Sequence, residues 1–247
     1  MDNSIATVVP AISAPIDCAC VIHGDAYNWV YVERLYNMLS RHISRGIRLH
    51  VYTELERPVP APMIKHVLPA WGIHGPKRSW WYKMNLFDSA EHAGPLLYFD
   101  LDTVIVNNID WICDLPLSYF WAVQDFRYLQ RAKHLSMNSS IMWWDTRRFD
   151  LVWTTFCQEN LATVMKKYRG DQDYLNHALA KDLRFLDPTR ILSWRWQCLG
   201  NGYNFKRRNY QNSDAVTHIP TGTSVMVFHG QPKPADLTDP AITQHWQ

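Results

Sequence analysis

The stretch Leu96-Leu97-Tyr98-Phe99-Asp100-Leu101-Asp102-Thr103-Val104-Ile105 restricts the fold of this chain more than any other. Leu96 to Phe99 is a short apolar run, the length of a buried strand. It ends in two acids one residue apart, and extended character resumes with Thr103 to Val106. Open α/β sheets bind ligands at the carboxyl ends of their strands. Asp100 and Asp102 placed there repel each other unless a cation lies between them, a proton joins them or they point apart. Side chains alternate along a strand, so both acids can lie on one side and converge on a divalent ion. In isolation, Asp-Leu-Asp is more often only a solvated turn, so its meaning depends on partners elsewhere in the chain.

The surrounding patterns predict an α/β chain. Ile16 to His23 reads as a first strand, and Gly24-Asp25 as the turn after it. Trp29, Val32, Leu35, Tyr36, Leu39 and Ile43 recur at helical spacing and end near Gly46. Arg48 to Thr53 and Ile64 to Leu68 are further strands, separated by a loop with Pro58, Pro60 and Pro62. Strand, helix and strand in that order imply a parallel sheet with right-handed crossovers. Ser79 is a plausible N-cap for a helix through about Ala90, with Trp80, Met84 and Phe87 on one face and Lys83 along it.

Later in the chain, Tyr119 to Gln124 and Ser139 to Trp144 are strand candidates. Arg147 to Lys167 reads as helix with a break near Asn160, and Asp171 to Leu179 as a shorter one. Arg184 to Leu186, Ile191 to Trp194 and Ser224 to Phe228 are short extended pieces. The 247 residues contain no internal repeat and no linker, so one domain is the simpler reading.

Composition removes some partners. A formal charge of +2 gives no reason to expect nucleic acid binding. No run approaches the length of a membrane span, so membrane contact is at most peripheral. Met1 to Pro15 lacks the basic start and apolar core of a signal peptide. Cys18-Ala19-Cys20 lacks the usual zinc or redox spacing, and both cysteines fall in a strand, which predicts small buried side chains. A reducing, cytoplasmic compartment is expected. The twelve tryptophans cluster at Trp80-Trp81, Trp143-Trp144 and Trp194-Arg195-Trp196, as core first and as sugar-stacking surface second. Trp194, Trp196 and Tyr203 can line a sugar-binding side or simply be core.

Three further constellations carry polar chemistry. In Gly170-Asp171-Gln172-Asp173, the acids stabilise the start of any helix, and Gln172 and Asp173 can also project into a cleft from it. In Phe228-His229-Gly230-Gln231-Pro232-Lys233, His229 can complete an Asp/Asp/His set for Mn²⁺. Gly230 lets backbone approach a phosphate, and Lys233 can neutralise one. The other ten histidines show no close metal-binding spacing. In Met137-Asn138-Ser139-Ser140-Ile141, amides and hydroxyls at a strand entry can bond sugar hydroxyls, as can Asp125.

Taken in order, five pieces resemble the glycogenin and lipopolysaccharide galactosyltransferase family of retaining GT-A glycosyltransferases. They are Lys83; Tyr98 to Asp110 with its Asp-Leu-Asp; Asn138-Ser139-Ser140; Asp171 to Asn176; and His229 to Pro234. The resemblance implies a single Rossmann-like α/β/α sandwich with a central, mostly parallel mixed sheet. It spans residues 16–234, with 1–15 an extension and 235–247 a tail.

The resemblance also implies a site. Asp100, Asp102 and His229 would ligate Mn²⁺ or Mg²⁺. Lys83, Leu101 and Gly230 would lie at the nucleotide and Lys233 at its diphosphate. Ile22 to Tyr27 would hold the nucleoside, and Asp125, Asn138, Gln172 and Asp173 would surround the donor sugar. The implied reaction moves a hexose from a UDP-sugar to a carbohydrate or glycolipid hydroxyl. Three positions depart from the family pattern. Val227 stands where the ligand histidine is common, three residues before Gly230. Ala235 stands where a tryptophan often follows Lys-Pro, and Ser140 replaces a glycine.

Two other readings use the same residues. Phe99 to Val104 also resembles the nucleophile strand of haloacid-dehalogenase-type phosphatases, although that strand normally opens its fold and here about a hundred residues precede it. A carbohydrate- or nucleotide-binding domain without catalysis is the third.

Overall fold

The computed structural model describes residues 14–73, 79–199 and 216–247, together with the backbone of Tyr203–Asn204 and Asn209–Tyr210. The chain begins with β1 (Ile16–Val21), α1 (Val30–His42), β2 (Ile47–Thr53) and β3 (Ile64–Val67). Then follow a 3-10 segment (Ser79–Phe87), β4 (Pro95–Phe99), β5 (Thr103–Ile105) and the short α2 (Asp110–Cys113). Next come β6 (Phe120–Gln124), β7 (Met137–Asp145), α3 (Thr146–Gln158), α4 (Leu161–Lys167) and α5 (Asp171–Ala178). After β8 (Leu183–Phe185) and β9 (Ile191–Ser193), a π-helical turn covers Trp194–Cys198. The ribbon β10 (Tyr203–Asn204) and β11 (Asn209–Tyr210), then β12 (Val225–Val227) and α6 (Pro240–Thr243), complete the order.

Seven strands form the main sheet in the order β3-β2-β1-β4-β7-β6-β8, and β7 alone runs against the others. This is the mostly parallel mixed sheet that the sequence implies. Alternation along β4 divides the core: Leu97 and Phe99 join Cys18, Cys20 and α1 on one face. Leu96 and Tyr98 join Ala19, Trp81, Phe87, Trp144 and the α3 and α5 side chains on the other. The small residues of β1 are fully buried between the two layers, as the spacing of its cysteines predicts. Asn160 breaks the long helix by accepting from the Thr163 amide (3.2 Å), so α4 starts afresh.

Residues 79–87 differ from the amphipathic α-helix expected. They form a 3-10 segment whose residues from Trp81 to Phe87 are all buried, Lys83 among them. Apolar side chains on every side leave no solvent face for helical periodicity to mark.

β5 does not continue the main sheet. It pairs antiparallel with β12, which pairs parallel with β9. The register sets Val227 opposite Thr103, and the Phe228 amide donates to the Asp102 carbonyl (3.2 Å). Non-local pairing thus brings the segment after β12 to the end of β4. Residues beyond it fold back on α1, where Ile242 is buried and Trp246 meets Tyr31 edge-on at 5.2 Å. Among the described residues, no helix is long and apolar enough to cross a membrane.

Candidate active site at the carboxyl edge of the central sheet

The chain leaves β4 through a tight turn. The Asp100 amide donates to the Ser140 carbonyl (2.7 Å), and the Thr103 hydroxyl donates to the Asp100 carbonyl (2.8 Å). Leu101 packs into the core between the two acids. Asp100 Oδ1 accepts from the Tyr98 hydroxyl (2.6 Å) and lies 2.7 Å from Lys83 Nζ. Lys83 also donates to Ser139 Oγ (3.1 Å), which donates onward to Asp171 Oδ2 (2.7 Å). Burial opposes the Lys83 charge, but Asp100 and Asp171 outweigh it and raise the ammonium above its usual range. Burial likewise raises Asp171, with Lys83 and Ser139 acting against it.

Asp102 has a different partner. Its Oδ2 accepts from the Tyr27 hydroxyl (2.9 Å) and is in direct contact with Lys233 Nζ. Burial, and then the charge of Asp100, raise the Asp102 carboxyl above its usual range despite Lys233. Each acid of the turn therefore holds its own ammonium while the two feel each other. The strand pairing of β5 with β12 explains how a lysine 131 residues away reaches the turn.

A cleft of about 600 Å³ opens beside this network, lined by Asp125, Asn138, Gln172 and His229 with Phe126 and Trp196. Its remaining lining includes Arg127, Arg131 and Arg169. The β6–β7 register slips so that Ala122 faces Met142 while Val123 faces Asn138, and this bulge carries Asn138 and Ser139 toward the site. Asp125 follows β6 and caps the next turn through the Arg127 amide (2.9 Å), while its Oδ2 accepts from Gln172 Nε2 (3.2 Å).

His229 Nε2 lies 2.7 Å from Ser193 Oγ. That hydroxyl also accepts from the Trp196 amide (3.2 Å), which leaves it a hydrogen and a second lone pair for the ring. The imidazole stacks on Phe126 (5.6 Å, 19°) and meets Trp196 edge-on at 4.7 Å. Burial, reinforced by Arg195, lowers it to about 4, so the ring is neutral near pH 7. Among the described residues, the donor atoms of Asp100, Asp102 and His229 do not gather within 4.8 Å of one another. Val227, at the position where the family pattern has its histidine, is buried in β12.

The structure thus joins Tyr27, Asp102 and Lys233 in one network, links Lys83 and Asp100 in an adjoining one, and sets Asp125, Asn138, Gln172 and His229 around the cleft. Asp173 lies apart: it is exposed, and its Oδ2 faces the Arg169 amide (3.3 Å). The Ile22 and Leu101 side chains belong to the core, which leaves only their backbone to meet a ligand. Gly230 has φ +80°, a conformation that favours glycine. Trp194 is core, stacked on Phe228 at 4.7 Å, whereas Trp196 reaches the cleft. The Tyr203 side chain lies outside the described residues.

Sequence reading missed Asp171, whose acidity is accounted for by its place at a helix start. It also missed the clasp of Glu54 and Arg57 on the turn after β1. The Gly24 amide donates to Glu54 Oε1, and Arg57 Nη2 donates to the Gly24 carbonyl (2.8 Å). Burial raises Glu54, but the bonds from Arg57 and Gly24 overcome it and hold the carboxyl at about 2.

No protein-family model and no curated protein sequence matches the chain. Solved structures do. An active-site mutant of LgtC aligns with TM-score 0.64 at 13% identity, covering 93% of this chain and 94% of that one. The galactosyltransferase LgtC in complex with donor and acceptor sugar analogues aligns at 0.61 and 12% identity, covering 94% and 95%. The glycosyltransferase GlyE of Streptococcus pneumoniae TIGR4 aligns at 0.63 and 14% identity, over 92% of this chain but 57% of its own.

The chain has the GT-A glycosyltransferase fold. In the GT-A fold β4 is a central strand preceded by β1, β2 and β3, not the strand that opens the domain. That topology removes the basis for the phosphatase resemblance, which needs Asp100 on an opening strand.

Proposed function

We propose that the protein is a glycosyltransferase moving a hexose from a UDP-sugar to a carbohydrate hydroxyl with retention of configuration. The observation that carries this reading is the Asp100-Leu101-Asp102 turn at the carboxyl end of β4, with Lys233 brought onto Asp102, in a chain of GT-A fold. Oxygen donors suit a hard divalent cation. Asp100 and Asp102 offer two carboxylates from one turn, and a cation held between them would take the place of the Lys83 and Lys233 ammonium contacts. His229 contributes less to that fit, since among the described residues its donor atoms do not gather with those of the two carboxylates. Mn²⁺ or Mg²⁺ held by Asp100 and Asp102 would supply positive charge against the charge growing on a departing diphosphate.

The chain's own groups do the rest. Lys233 offers a second positive charge at the same place, and Tyr27 holds Asp102 in position through its hydroxyl. Gln172, Asn138 and Asp125 present amides and a carboxylate to a sugar in the cleft, which Trp196 also lines. Of the two nearby carboxylates, Asp173 lies on the exposed side, and Asp125 is tied by the Arg127 amide and by Gln172. This favours attack from the leaving-group side, with the diphosphate receiving the acceptor proton.

UDP release from a panel of UDP-hexoses with Mn²⁺ tests the reading. Asp102→Asn is expected to lower it by about 10²- to 10³-fold, the scale of losing one preorganised electrostatic centre. Absence of release from every UDP-hexose by the wild-type protein would refute it, as would full activity in Asp100→Ala and Asp102→Ala.

A further inference from the structure

We propose that Asp17, His50 and His92 form a second metal site, for a divalent transition-metal ion of the zinc class, at the opposite end of the sheet from the cleft. Asp17 lies near the start of β1, His50 within β2, and His92 just before β4. One ligand atom from each lies within 4.8 Å of the other two. Two imidazoles and a carboxylate are the donor set that zinc takes, with water or a fourth side chain completing a tetrahedron. Asp17 and His92 are half-buried and His50 buried, so an ion can enter from solvent and still rest on a rigid strand.

The hydrogen count in this cluster leaves one place for a positive charge, which a proton on one imidazole or a metal ion can fill. Asp17 Oδ1 lies 2.9 Å from His50 Nε2, His50 Nδ1 lies 2.8 Å from His66 Nε2, and His66 Nδ1 lies 3.2 Å from Glu91 Oε2. Three contacts in series need three hydrogens, and two neutral imidazoles carry one each. With both carboxylates ionised, one contact sets two lone pairs face to face. If His66 donates to Glu91 and His50 donates to His66, the open contact is Asp17 with His50 Nε2. A metal ion there takes both lone pairs and replaces the missing proton.

The same arrangement gives the outer layer that ligand histidines need, a second ring nitrogen held by an acceptor. For His50 that acceptor is His66, backed by Glu91. For His92, Nε2 lies 3.2 Å from the Pro95 carbonyl, which can only accept, so Nδ1 keeps its lone pair. His50 and His92 meet edge-on with centroids 4.9 Å apart, and His66 is fixed by stacking on Tyr52 at 4.4 Å. Arg48 forks onto Asp17 (2.6 and 2.7 Å) from the solvent side. Its side chain is 53% exposed, so it can withdraw from Asp17 without disturbing the core. None of these residues lines the cleft, so the site stands apart from the proposed transfer reaction. Its effect would be to tie β1, β2 and the lead into β4 together.

The test uses the full-length, untagged, metal-stripped protein. Co²⁺ is titrated as a spectroscopic stand-in and displaced by Zn²⁺, and the melting temperature is followed with each ion. One equivalent of Co²⁺ should give the visible absorption of a four-coordinate nitrogen and oxygen site, and Zn²⁺ should abolish it and raise the melting temperature. His50→Gln and His92→Gln should lose both signals, and Asp100→Asn/Asp102→Asn should keep both. His92→Gln is the decisive variant because its side chain is not core, and far-ultraviolet dichroism without metal verifies that it folds. No Co²⁺ absorption in the wild-type protein overturns the proposal. So does absorption retained in folded His92→Gln, or lost in an Asp100→Asn/Asp102→Asn protein that the same dichroism shows to be folded.

Discussion

Lys83 shows what one residue is asked to do. Its ammonium is largely buried among Asp100, Asp171 and Ser139. Removing one partner of a buried ion pair leaves the other charges uncompensated, at a cost of about 3 to 5 kcal/mol. Lys83→Met is therefore expected to lower unfolding free energy by about that amount in urea titrations. A second residue sets a pH dependence. His229 titrates near 4 when folded and near 6.5 when unfolded. Between those values the unfolded chain binds the extra proton, so stability rises with pH and is lost as pH falls from about 6.5 to 4. His229→Gln should reduce the slope of urea-derived stability across that window, leaving the part due to His42, His50 and His245, which burial also lowers.

At the scale of elements, the pairing of β5 with β12 decides where the site forms. It sets the register of everything after Val227, and Gly230 sits at its exit with φ +80°. A Cβ at Gly230 would come 3.2 Å from the Arg195 guanidinium in a conformation that costs L-residues about 1 to 2 kcal/mol. Gly230→Ala should lose about that much stability, and the proposed enzyme should show a raised KM for UDP-sugar as Lys233 shifts. Sequence patterns showed β1, β2, β4 and the break at Asn160 because their periodicity and capping are local. The 3-10 segment was not legible, since burial on all sides erases the helical stripe. The β5–β12 pairing was not legible either, because short strands carry no signal of their distant partner. The three histidines near Asp17 escaped for a related reason: β2, β3 and the lead into β4 supply one each, so no spacing in the chain records them.

Over the whole molecule, charge is nearly balanced at +2, yet the cleft is not. Arg127, Arg131 and Arg169 share its lining with Asp125 as the one carboxylate, while His229 is neutral. The Asp100–Lys83 and Asp102–Lys233 pairs lie outside that lining, so they do not offset the excess. A partly enclosed cleft with low-dielectric walls focuses such a field and raises the local concentration of anions. Under the transferase reading, the diphosphate is assigned to Lys233, which leaves the arginine rim to the acceptor. An acceptor bearing a carboxylate or phosphate should therefore be used better than its neutral counterpart, and the preference should weaken with salt. Arg131→Glu should lower kcat/KM for the anionic acceptor by about tenfold more than for the neutral one, the effect of about 1.4 kcal/mol. Paired assays with acidic and neutral acceptors at low and high ionic strength read both quantities. Equal loss for the two acceptors would mean that Arg131 shapes the cleft, with its charge playing no part in acceptor choice.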